Sequence, residues 1–275
     1  MENALWLENE AGIRLGAFMS IFFLMAVWEL SAPARKLSLP LSARWRTNLG
    51  MALINALVSR LLLPTTAIAV AVLVSENGSG LLNQIALPFW AKCTLAVLLL
   101  DLTIYFQHVL FHAVPTLSRL HQVHHADPDF DLTTGIRFHP LEILISIAIK
   151  MAAVAVLGAP VLAVLIFEVL LNVTAMFNHG NVSLPPWLEG GVRKVLVTPD
   201  MHRIHHSVIE QERNSNYGFC LSIWDRIMGT YRPDNAGGKA ALEIGLKSLR
   251  EPAIVATLQG VLRLPFSKPK GPATE

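Results

Sequence analysis

Charge is scarce in this chain. Only 15% of its 275 residues are Asp, Glu, Lys or Arg, where soluble domains carry about 25%. The net charge is +2 and no run of five Lys or Arg occurs, so the sequence has no basic footprint for nucleic acid. Cysteine is scarcer still. Cys93 and Cys220 lie far apart and form no CxxC, which excludes a disulfide framework, a zinc ribbon and an iron–sulfur cluster. The motifs HExxH, GxSxG, GxGxxG and Walker A are all missing, and with them a zincin protease and any obvious flavin, nicotinamide or ATP site. The first apolar stretch is preceded by Glu2, Glu8 and Glu10, the wrong charge for a cleaved signal peptide. No internal repeat at a fixed period is present.

What remains is apolar: hydrophobic residues make up 53%. Several runs approach the length of about 20 residues that spans a bilayer. They cover residues 13–30, 49–74 (interrupted by Arg60), 82–100 with a helical continuation to His112, 141–157 and 161–177. The last two are separated only by a turn at Gly158 and Pro160, which predicts a helical hairpin, fully spanning or partly immersed. Residues 31–46 hold Arg35, Lys36, Arg44 and Arg46 and no acid, whereas the next loop holds only Glu76. The positive-inside rule therefore places residues 31–46 in the cytoplasm and the N-terminus outside. Counting spans onward puts His108 and His179 on the cytoplasmic side as well. Residues 268–275 read as a disordered tail.

All ten histidines fall between His108 and His206. His108 and His112 are spaced i,i+4, on one helix face with Asp101 and Tyr105. His121, His124 and His125 form an HxxHH cluster, and His202, His205 and His206 repeat it. Eight clustered imidazoles exceed the four ligands of a tetrahedral zinc site and point to two metal ions. Without metal, each buried ring would need its own hydrogen-bond partners. Imidazole suits iron, copper, zinc and nickel alike, so the ligands leave the metal open. His139 and His179 stand alone. A lone histidine is more often a satisfied core residue, but Asn178 and Asn181 beside His179 add polar groups where a span ends. Carboxylates that could orient the rings are Asp101, Asp127, Glu142 and Asp200. The stretch Asp127-Pro-Asp-Phe-Asp131 begins like a calcium loop but has Leu132 in place of the turn glycine and Phe138 in place of the bidentate glutamate.

These elements, in this order, resemble the fatty acid hydroxylase/sterol desaturase superfamily. The likeness rests on Asp101-x3-Tyr105-x2-His108-x3-His112, His121-Gln-Val-His-His125, Arg137-Phe-His-Pro-Leu-Glu142, Asn178-His-Gly-Asn181 and His202-Arg-Ile-His-His206. Asn214-Ser-Asn-Tyr-Gly218 and Trp224-Asp-Arg-Ile-Met-Gly-Thr-Tyr231 also look like that family's ending. The resemblance covers residues 97–232, after N-terminal membrane helices in 1–96 and before a C-terminal extension in 233–275. It implies an all-α membrane bundle of about three to five spanning helices under a cytoplasmic helical cap. It further implies a non-haem diiron centre that uses O2 to hydroxylate or desaturate a membrane lipid. The ligand role carries over to His108, His112, His121, His124, His125, His202, His205 and His206, with His179 as an additional ligand. His139, Asp101, Glu142, Asn178, Asn181 and Asp200 become possible ligands or ring-orienting residues. No cytochrome b5-like domain is among these residues, so electrons are expected from a separate protein, a cytochrome b5-like donor, a ferredoxin or a reductase. Two other readings stay open: an integral membrane zinc metallohydrolase, and a metal-ion transporter. A transporter would string its ligands through the middle of its spans, whereas these clusters sit beyond the span ends.

Overall fold

A computed structural model describes residues 8–63, 65–238 and 241–267. Glu2 and the expected C-terminal tail, 268–275, lie outside the described residues. Among the described residues the regular structure is helical, apart from two isolated bridges, Leu196 with Leu221 and Ser207 with Ile244. The helices are α1 (Glu10–Ser31), α2 (Leu41–Leu62), α3 (Ala67–Glu76), α4 (Phe89–Ala113), α5 (Pro115–His125), α6 (Pro140–Leu157) and α7 (Val161–Asn178). Shorter ones follow: α8 (Pro186–Val192), α9 (Pro199–His205), α10 (Glu210–Arg213), α11 (Ile223–Ile227), α12 (Pro252–Val255) and α13 (Leu258–Arg263).

Five segments are long and apolar enough to cross a membrane: Glu10–Ser31, Leu41–Asn83, Phe89–Ala113, Pro140–Leu157 and Val161–Asn178. Their outer faces carry exposed apolar side chains such as Leu24, Leu61, Trp90 and Val156. Such faces need an apolar partner, which a bilayer supplies for helices of this length. The apolar run at 49–74 is not one helix. It breaks between Leu62 and Ala67, where the sequence has Pro64, and Leu63 is extended as the residue before a proline prefers. The Thr66 hydroxyl accepts from Ala69 N (3.1 Å) and caps the new start.

The bundle core joins α3, α4, α6 and α7. Ala71, Ala96 and Ala163 are fully buried there, and such small residues let helix backbones approach closely. At one end the loop after Glu76 meets the α6–α7 turn. Gly158 caps α6 in the left-handed region (φ 65°), and a Cβ on Gly80 would lie 2.4 Å from its Cα. The histidine-bearing ends of α4 and α7 lie at the other end. Within the spans, Glu168 pairs with Lys150 (2.5 Å) and Arg14 (3.2 Å), which ties α1 and α6 to α7.

The histidine end is closed by a buried polar layer. Arg44, 1% exposed, makes two hydrogen bonds to Asp127 (2.8 and 3.1 Å) and one to Asp131. Asp129 accepts from Ser38 N (2.8 Å) and Leu39 N (2.9 Å). The aspartates of the rejected calcium loop thus anchor the chain between α1 and α2. Burial alone would raise the Asp127 carboxyl, but the Arg44 and Arg137 charges hold it below the usual carboxylate range. Arg137 reaches the carbonyls of Val123 and Val255 (both 2.8 Å) and Asn48 Oδ1 (2.9 Å), so one guanidinium joins α2, α5 and α12.

Candidate metal centre

Nine histidines converge on two adjoining points. His108, His112, His121, His125 and His205 form one group, and His124, His179, His202 and His206 form the other; within each group the candidate ligand atoms lie within 4.8 Å of one another. Helix geometry explains the division. The i,i+4 spacing sends His108 and His112 of α4, and His121 and His125 of α5, to one point. His124 is turned away by one residue and joins the second. Likewise His202 and His206 share a face at the end of α9, while His205 crosses to the first group. The His125 and His206 rings stack at 4.4 Å, so the two groups touch.

The first group is oriented from outside. The Nδ1–H of His108 donates to the Tyr217 carbonyl (2.8 Å), that of His205 to the Ser215 carbonyl (2.8 Å), and that of His121 to Glu142 (2.6 Å). A carbonyl can only accept, so Nδ1 carries the proton and Nε2 is left with a lone pair. The Nε2 atoms of His108, His112, His121 and His205 have no hydrogen-bond partner among the described residues. In the second group His179 donates from Nδ1 to Ala175 O (2.8 Å), and its Nε2 lies 3.1 Å from His124 Nε2 and 3.0 Å from His202 Nε2. Three ring nitrogens thus face one point, that of His179 with its lone pair inward, which suits a metal ion. The residues therefore fit two ions held by nitrogen ligands.

Burial disfavours protonation of His124, His125, His179, His202, His205 and His206 and so favours the neutral form that binds metal. It pushes His179 down to about 3. His124, His125, His202, His205 and His206 lie well below the usual histidine range, first through burial and then through neighbouring imidazoles. In the unfolded chain the same rings protonate near pH 6.5. Between those values the unfolded state binds more protons, so stability falls as pH drops below about 6.5. Metal-free protein in detergent is expected to melt at a lower temperature at about pH 5.5 than at about pH 7.5. A melting point that does not move would contradict this electrostatic picture.

Other sequence-derived candidates take different places. His139 is in neither group. It caps α6 by accepting from Leu141 N (3.2 Å) and meets Leu262 O through Nε2 (3.3 Å). Among the described residues Asp101 bonds no imidazole; it accepts from Cys220 N, Leu221 N and Trp224 Nε1 (3.2, 3.1 and 2.8 Å) and so holds the strap that follows Tyr217. Asn178 donates to Phe219 O on that strap (2.9 Å). Asn181 bridges to Arg35, accepting from its N (3.0 Å) and donating to its carbonyl (2.8 Å). Asp200 pairs with Arg203 (2.7 Å) and accepts from Ser183 (3.2 Å). Glu142 bonds a clustered ring, that of His121 (2.6 Å).

Several contributors were not legible beforehand. Ser215 and Tyr217 act through backbone carbonyls, which any residue possesses. Asp225 accepts from Tyr217 N (2.7 Å) and Gly218 N (2.8 Å) and fixes those carbonyls in place. Phe138 stacks on His124 at 4.5 Å, and Phe130 covers His179 at 5.4 Å. Gly135 leaves room for the end of α7, since a Cβ there would meet Ala175 O at 2.6 Å.

Beside the histidines lies a cavity of about 290 Å³. Its walls include Ile104, Phe111, Ile136, Phe138, Leu171 and Phe219, and it reaches His108 and His121 of the first group and His124 and His202 of the second.

The fatty acid hydroxylase family model matches residues 93–230. Ornithine lipid hydroxylase OlsE of Rhizobium tropici is 30% identical over 159 residues, 58% of this chain and 46% of that protein. Alkylglycerol monooxygenase of Homo sapiens is 29% identical over 151 residues, 53% of this chain and 31% of that protein. Cholesterol 25-hydroxylase of Rattus norvegicus is 29% identical over 168 residues, 55% of this chain and 52% of that protein. The matches thus span about half or less of these relatives' own lengths. No solved structure matches significantly.

Proposed function

The chain belongs to the fatty acid hydroxylase family, and from that premise we propose that it is a membrane oxygenase whose clustered histidines hold two iron ions beside a lipid-binding cavity. The observation that carries this reading is the cavity itself: apolar walls on one side and imidazoles of both groups on the other. His108, His112, His121, His125 and His205 would hold one iron, and His124, His179, His202 and His206 the second. Bound iron would supply O2 activation and the oxidation of an unactivated C–H bond. In the overall hydroxylation one oxygen atom enters the C–H bond, the other leaves as water with two protons from solvent, and two electrons come from an external donor protein.

The residues of the chain do the rest. Glu142 and the carbonyls of Ser215, Tyr217 and Ala175 set the direction of four rings. A mis-set ring would cost about 10- to 100-fold in metal affinity or activity. Phe111, Phe138 and Phe219 would shield the cavity from water beside the imidazoles, where a reactive oxidant would otherwise be lost to solvent. The substrate is read as a membrane lipid, because the cavity lies among segments apolar enough to span a bilayer. A cytoplasmic site is supported by Arg35 and Lys36 at the histidine end and Glu76 at the other.

The purified protein is expected to contain two irons per chain. Lipid extracts from cells with and without the gene, grown under oxygen, should differ by one species. A product heavier by one oxygen atom means hydroxylation; one lighter by two hydrogen atoms means desaturation. An active enzyme free of redox metal would sink the proposal.

A further inference from the structure

Four polar side chains from four helices meet in the wall of the cavity: Asn55 of α2, Gln107 of α4, Ser146 of α6 and Asn172 of α7. All four lie in segments apolar enough to cross a membrane, where a polar group needs a partner or a purpose. Asn55, 7% exposed, donates from Nδ2 to the Phe138 carbonyl (3.0 Å). Only the NH2 end can donate to a carbonyl, so the amide's orientation is set and Oδ1 is the end left over. Gln107 donates from Nε2 to Ser146 Oγ (2.5 Å). Asn55 Oδ1 and Gln107 Oε1 are both buried and without a hydrogen-bond partner among the described residues.

Two orphan acceptors at one cavity ask for a donor. Their place matters as well. Gln107 adjoins His108, and Ser146 lies one helical turn beyond Glu142, whose carboxylate holds His121. The polar ring therefore stands close to the imidazoles.

We infer that this ring selects a lipid carrying a hydroxyl or amide N–H a few bonds from the carbon that reacts, with that group sharing its donor hydrogen between Asn55 Oδ1 and Gln107 Oε1. The inference rests on reading the cavity as the lipid site. An unbroken alkyl chain, or an ester that can only accept, would leave both oxygens buried and unpaired. A site built to bond a donor discriminates against the analogue that lacks it.

The test is equilibrium binding of three radiolabelled probes, dodecanamide, dodecanol and methyl dodecanoate, to the purified full chain in detergent micelles. The amide and the alcohol donate; the ester does not. Both donors are expected to bind about tenfold more tightly than the ester. Asn55→Leu and Gln107→Met should each bring that ratio down toward one, since each removes an acceptor that the donors bond and the ester leaves unpaired. Comparing ratios between proteins cancels the probes' different partition into detergent, and the second variant keeps the test alive if the first folds poorly. Equal binding of all three probes, or a preference that survives both substitutions, overturns the inference. Binding needs neither metal nor O2. Donor-selective binding without any oxidised product would therefore count against the oxygenase reading alone. Oxidised product without donor selectivity would count against this inference alone.

Discussion

Replacing His124 by alanine is expected to lower bound iron from two to one per chain and to abolish O2-dependent product. His124 belongs to the smaller group, whose four rings leave no spare ligand. Its Nε2 lies 3.1 Å from His179 Nε2, and its ring packs flat on Phe138 at 4.5 Å. Alanine would remove a nitrogen donor and open a gap in the cavity wall at once. The loss should exceed the roughly 100-fold that follows from disturbing an outer partner of a metal ligand. Glu142→Gln provides that comparison: it weakens the bond to His121 without removing a ligand, so iron should remain while activity drops about 10- to 100-fold. Iron analysis on both purified variants, with lipid product measured alongside, checks the pair. An H124A protein with two irons and full activity would remove His124 from the site.

Arg44→Met is expected to be the most damaging substitution away from the histidines. Arg44 is 1% exposed and meets Asp127 and Asp131, themselves buried, as well as the Thr134 hydroxyl (3.2 Å). Taking out the guanidinium strands two carboxylates with no water to solvate them. Breaking a buried pair in this way costs about 3–5 kcal/mol. That is a large share of the 5–15 kcal/mol that holds a typical domain together. The variant should unfold in detergent at a much lower temperature. It should also lose iron as a consequence, because residues 127–137 connect the HxxHH cluster of α5 to the start of α6. A triple change that also converts Asp127 and Asp131 to Asn should recover part of the lost stability, since it removes the stranded charges. If R44M melts with the natural chain, the polar layer does not carry the load assigned to it.

How much of this was legible beforehand depends on the range of the interaction. Helix positions follow from local periodicity, and the runs at 13–30, 141–157 and 161–177 coincide closely with α1, α6 and α7. The run at 49–74 was read as one span because hydrophobicity is blind to a backbone break; Pro64 was the available signal. Shared helix faces were readable for His108 with His112 and for each HxxHH cluster. Their partition into five and four was not. It depends on how α4, α5, α7 and α9 pack, and those contacts join residues as far apart as His108 and His205. Asp101 shows the same limit. Its burial near His108 was readable, but its partners lie about 120 residues downstream and are mostly backbone N–H groups, which the sequence does not single out.

Composition and spacing by themselves determined that this is a helical chain with membrane-length segments, that its histidines gather in clusters suited to metal, and that they exceed what one ion can use. Those conclusions rest on properties that residues carry individually or to neighbours a turn away: hydrophobicity, charge and helical pitch. Only the tertiary structure decided which rings share a point, which carbonyls aim them, and that an apolar cavity with two unpaired acceptors lies against both groups. Each of these arises where distant segments close on one another, and helix packing sets that closure.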